Sequence, residues 1–162
     1  MDRKHAQSGF TLLEVLLVVA AIAILSGIVI VAINPSQQLA ESRNDQRQVD
    51  VRTILSALEQ YMSEHNNNTP DVIINYLATE DCPNQPDTDE ICATGAEDCT
   101  GLLDFSALTA NQKYLAQLPI DPHGGFRNAN ATGYGIIRLD ASHRLVVCAL
   151  KSELGEPISI TQ

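Results

Sequence analysis

The sequence predicts an α+β chain: a long N-terminal α-helix, apolar in its first half and amphipathic in its second, packed on a small C-terminal antiparallel β-sheet. Three observations predict it. The residues from Phe10 to Ile33 are almost all apolar, interrupted only by Thr11, Glu14, Ser26 and Gly27. After an Asn34-Pro35 break, Val51, Ile54, Leu55, Leu58, Tyr61 and Met62 recur at spacings of three and four, the period of one helix face. Near the end, Tyr134–Leu139 and Arg144–Leu150 are rich in β-forming residues, and Asp140-Ala141-Ser142-His143 between them suits a hairpin over 134–150.

The apolar run is of membrane length, because a helix rises about 1.5 Å per residue and the hydrocarbon core is ~30 Å thick. Residues 1–9 ahead of it, Met-Asp-Arg-Lys-His-Ala-Gln-Ser-Gly, carry Arg3 and Lys4. A positive flank before a first apolar helix holds that end in the cytoplasm, so everything after Ile33 is expected outside. The run is longer than a secretory h-region and no Ala-x-Ala-like site with polar residues beyond it follows, which argues against an ordinary cleaved signal. Glu14 inside this run has two readings. A carboxylate costs up to ~3 kcal/mol at mid-bilayer and is then a functional residue, or it sits near the surface and costs little.

Proline removes a backbone donor and clashes with the preceding turn, so Asn34-Pro35 kinks or ends the first helix. Helical character then resumes over 34–66, about 80 Å in all if the two halves are continuous from Thr11 to Glu64. Between Gln37 and Arg52 the charges of Glu41, Arg43, Asp45, Arg47, Asp50 and Arg52 alternate, as suits a helix in water or against other charged helices. His65 to Pro70 stops it. Residues 67–162 make the head. Val72–Leu77 is a short apolar segment of either type. Residues 79–104 hold eight acidic residues and three cysteines, and read as a loop that burial alone does not hold together. Ala107–Leu118 reads as a short helix with Leu108, Tyr114, Leu115 and Leu118 inward, and Pro119–Arg127 as a Pro and Gly connection.

The formal net charge is −10, and from Tyr61 onward fourteen acidic residues face five basic ones. That excludes nucleic acid as an expected ligand, since phosphate contacts need clustered Lys and Arg; a solvated acidic surface is the plainer reading. Cys82, Cys92, Cys99 and Cys148 all fall on the outward side, where disulfides persist, and they allow three pairings. Their spacings lack the close pairs of a zinc site. No enzyme motif is present: Cys148 and His143, five residues apart on one strand, point to opposite faces, and His65, His123 and His143 read as surface residues.

The stretch Gly9-Phe10-Thr11-Leu12-Leu13-Glu14-Val15, with its basic leader, resembles the class III signal of type IV prepilins and type II secretion pseudopilins. The resemblance covers Met1 to Ile33 closely and the next helix in outline. It implies the pilin fold, cleavage after Gly9 by prepilin peptidase and N-methylation at Phe10. It also implies assembly in which Glu14 neutralises the amine of a neighbouring subunit. The new amine has a reference pKa of about 8 and keeps its charge after monomethylation. It opposes the helix dipole while a first-turn carboxylate favours it, so each lacks a partner until they meet. The implied partners are the peptidase, other pilin or pseudopilin subunits, an inner-membrane assembly platform and lipid. The implied location is the cytoplasmic membrane, then a surface filament. Leu118-Pro119-Ile120-Asp121-Pro122 and Gly133-Tyr134-Gly135 resemble segments of major pseudopilins, with His123 where those commonly have an aromatic. No cofactor is expected. Calcium is left open by Asp87, Thr88, Asp89 and Glu90, although Cys92 stands where an EF-hand register needs glycine. Two other functions stay open: an anchored binding domain that never polymerises, and a minor pilin for adhesion or DNA uptake.

Overall fold

The structure is a computed structural model that describes residues 9–71, 73, 75–76, 89–126, 128–139 and 144–162. The chain divides into two compact units, Met1–Leu39 and Ala40–Gln162. The first holds helix α1 (Leu12–Ile33) and the first turn of α2 (Pro35–Glu64). The helices are not continuous. Asn34 takes a left-handed conformation at φ 46° and ψ 76° and ends α1. Pro35 then opens α2 at the position where its missing N–H costs nothing. The Asn34 carbonyl accepts from the Gln37 and Gln38 amides, so the new helix starts at once.

In the second unit, α2 buries Ala40, Asn44, Arg47, Val51, Ile54, Leu58 and Met62, one residue per turn in steps of three and four. The charged stretch, read as facing water or other charged helices, is corrected in part: Glu41, Asp45 and Arg52 are exposed, but Asn44, Arg47 and Asp50 continue the buried face, and Arg47 is fully buried. The helix ends as expected at His65–Asn68, where Asn66 and Asn67 take positive φ.

The sheet is built around β3 (Ala131–Leu139). On one edge it pairs antiparallel with β4 (Leu145–Ala149), Ile136 opposite Val147, and β4 pairs antiparallel with β5 (Ser159–Thr161). On its other edge lie β2 (Asp89–Cys92), antiparallel, and the two-residue β1 (Asn75–Tyr76), which runs parallel to β3. The fold is thus the predicted helix-plus-sheet class, with one short parallel edge added.

Tyr134, Ile136, Leu145, Val147 and Ala149 face the core with Ile54, Leu58 and Met62 of α2. Ile137, Leu139, Val146 and Cys148 are buried on the opposite face. Both faces of the hairpin are therefore apolar, which is why its residues form near-continuous rather than alternating hydrophobic runs.

Two expectations are corrected. Residues 89–104 are not a loop without burial, since Ile91 is fully buried, Cys92 and Leu103 are buried, and Leu103 bridges to Ile91; residues 79–88 lie outside the described residues. The helix over 107–118 shortens to α3 (Ser106–Thr109) and a 3-10 turn at Ala110–Gln112, because Asn111 at φ 54° breaks the path. Leu108 and Leu118 are nonetheless buried, with Tyr114 and Leu115 packed against the same core.

Candidate functional site

The N-terminal segment is ordered by its own local chemistry. Gly9 and Phe10 precede the helix, and Phe10 is 84% exposed. Thr11 is the N-cap, with extended φ −77° and ψ 150°, and its hydroxyl accepts from the Glu14 amide at 3.2 Å. That bond satisfies one of the donors a helix start leaves unpaired. It also fixes Glu14 in the first turn, where a carboxylate complements the helix dipole. Beyond it, Leu12–Ile30 is long and apolar enough to cross a membrane, and none of it is buried within the chain. Glu14 is the sole ionisable residue of that stretch. An apolar surface of this extent needs lipid or other helices to cover it. Thr11, in the sequence a polar interruption of the apolar run, is therefore the residue that starts the helix; its signal was a threonine three residues before a glutamate.

In the head, the polar residues on the buried face of α2 form one cluster. Arg47 Nε donates to Asp121 Oδ2 at 2.6 Å and Nη2 to Asp121 Oδ1 at 3.1 Å, with both side chains fully buried. Nη1 donates to Asn44 Oδ1 at 2.9 Å and to Glu153 Oε2 at 2.8 Å. Nη2 lies 3.2 Å from His123 Nδ1. Four of the five guanidinium N–H groups thus have acceptors, and the fifth points at His123 Nδ1, which accepts in the tautomer that leaves this nitrogen unprotonated. Arg43 forms two further bonds to Glu153, and the Asn44 amide pairs with both the N–H and the carbonyl of Glu153. Nearby, the Tyr134 hydroxyl donates to Asp50 at 2.5 Å. Burial, and then that carboxylate, push its pKa far above the ordinary value, so it stays a donor.

Gly133 closes the cluster from the sheet. Its φ is +84°, and a Cβ there would come 2.5 Å from Asp121 Cβ. Only glycine allows β3 to pass so close to the Arg47 partner.

The arginines hold the Glu153 carboxyl at about 2, Arg43 through its hydrogen bond first and Arg47 next. An unfolded glutamate titrates near ~4.3, so this group stabilises the fold above that pH and loses its contribution as pH falls toward its folded value. The thermal midpoint of the wild type should therefore drop through this window more than that of Glu153→Gln, as read by melts at successive pH values.

Cys92 and Cys99 form a disulfide, and no described cysteine is free. Cys148 is itself disulfide-bonded and so is no nucleophile; Cys82 and His143 lie outside the described residues. Among the described residues no group of three or more His, Cys, Asp or Glu is placed to hold a metal. The Glu90 carboxylate accepts from the Phe126 and Gly133 amides instead, and Asp87 and Thr88 of the calcium reading lie outside the described residues. His65 is exposed and His123 half-exposed beside Arg47.

Comparison with curated proteins and with solved structures gives no match. Residues 4–30, which include Gly9, Phe10, Thr11 and Glu14, match the family model of the prokaryotic N-terminal methylation motif, the class III signal leader of type IV pilin-like proteins.

Proposed function

We propose that the chain is a structural subunit of a type IV pilus or a type II secretion pseudopilus. In this reading residues 1–9 are a leader removed by prepilin peptidase, Phe10 becomes the N-methylated start, and 10–33 is the membrane and assembly helix. Residues 34–66 follow it as a separate amphipathic helix, and 67–162 form a head outside the cytoplasmic membrane, with Arg3 and Lys4 holding the leader inside. Copies of the chain, or related subunits, then leave the bilayer on an inner-membrane platform and pack their apolar helices together, Glu14 neutralising a subunit amine.

One observation carries the reading: the methylation motif falls on a capped, fully exposed apolar helix whose sole ionisable residue up to Ile30 is Glu14. Gly9 supports it from another side. No described atom lies within 4 Å of where its side chain would begin, and its φ is not left-handed. The described residues therefore make no demand for glycine there, which leaves the peptidase to set it. Replacing Gly9 with tryptophan should leave the full-length precursor in the membrane and none of the chain in sheared surface filaments, as immunoblotting of both fractions would show. A variant cut and recovered in the sheared fraction like the wild type would defeat the proposal, whereas a wild-type chain that stays uncut and is absent from that fraction would favour an anchored domain that never polymerises.

A further inference from the structure

The connection from Leu118 to Asn130 carries Asp121 and His123, yet Pro122, His123 and Phe126 within it are exposed. With little apolar burial, its position has to come from hydrogen bonds. Its middle is held by Asp121 on Arg47 and by the Phe126 amide, which donates to Glu90 at 2.6 Å. Both ends rest on the loop that the Cys92–Cys99 disulfide closes. The Leu118 amide donates to Thr94 Oγ1 at 2.9 Å. The Ala93 amide donates to the Asn130 carbonyl at 2.7 Å, and Asn130 Nδ2 donates to the Asp98 carbonyl at 3.0 Å. Ala93, Thr94 and Asp98 all lie inside the disulfide ring, which spans a sequence separation of seven. Within the ring the Ala96 amide donates to the Ala93 carbonyl at 3.2 Å and Gly95 takes φ 78°, but Gly95, Ala96 and Asp98 offer no buried side chain to hold it on the head.

We propose that closing Cys92–Cys99 is the step that seats the Leu118–Asn130 connection, and through it Asp121, on the head. The head then has a redox-set latch. With the two thiols open, Thr94 and Asp98 are no longer placed, and the connection loosens while the hairpin and α2 stay formed. Closure is thiol–disulfide exchange: the two thiols give up two protons and two electrons to an exchanging disulfide, which leaves as two thiols. The latch belongs to the head alone and holds whether or not the chain polymerises.

Amide hydrogen exchange on the full chain in detergent micelles tests it, with Leu118 and Asp121 as reporters and Val147 of the hairpin as reference. The Asp121 amide donates to the Thr132 carbonyl at 2.8 Å and so reads the seating directly. The variant Cys92→Ser with Cys99→Ser is expected to lose about tenfold or more protection at both reporters, the net worth of one hydrogen bond, with Val147 unchanged. Thr94→Val, which keeps the disulfide, should reproduce the loss at Leu118. Full protection of Leu118 in either variant would overturn the proposal. So would an equal loss at Val147 in the double variant, since the disulfide would then stabilise the whole head and latch nothing.

Discussion

Asp121→Ala is expected to cost the head about 3 to 5 kcal/mol, the usual penalty for removing one partner of a buried ion pair. Asp121 accepts two hydrogen bonds from an arginine that no water reaches, and both side chains are fully buried. Deleting the carboxylate leaves the guanidinium with Glu153 as its remaining anion, and that residue is already shared with Arg43. The double variant Arg47→Met with Asp121→Leu should recover most of the loss, because the charge left unpaired by the single change is gone. Denaturant unfolding of the wild type, Arg47→Met, Asp121→Leu and their double variant, read as a double-mutant cycle, gives the coupling directly. A single variant within ~1 kcal/mol of the wild type would mean that water or another group replaces Asp121 at little cost.

The second large effect is on assembly. Glu14→Ala keeps the Thr11 cap, since that bond uses the Glu14 backbone amide, and it keeps the apolar length of α1. Membrane insertion should therefore be normal. What is lost, on the proposed account, is the anion that would meet the amine of a cleaved Phe10. Leaving a charge unpaired in an apolar layer costs on the order of 3 to 5 kcal/mol, which is a hundredfold or more in incorporation. The ratio of variant to wild-type chain in filaments from co-expressing cells measures it, and a ratio near one would count against the charge-pair account.

Those two sites differ in how well the sequence shows them. Phe10–Ile33 is legible because a continuous apolar run needs no partner to be recognised, and Asn34-Pro35 because proline acts on its own backbone. Helix α2 was legible through Val51, Ile54 and Leu58, but the same steps of three and four run back through Arg47 and Asn44. An apolar pattern search stops where those polar residues begin, and the alternating charges around them suggest water instead. A buried network on a helix face announces itself only when the partner is known, and Asp121 is 74 residues away. The acidic count over 79–104 hid Ile91 and Leu103 for a similar reason, since an average over a window conceals the few residues that enter the core. Strand β5 has three residues and borrows its order from the edge of β4, so local propensity had little to show.

The central claim is that a peptidase cuts between Gly9 and Phe10 and that the exposed amine is methylated. Intact-mass measurement of the protein isolated from sheared surface material tests it most directly. The account predicts a chain that begins at Phe10 and carries one additional methyl group at its amino end. A mass that retains Met1 to Gly9 in that material would contradict it.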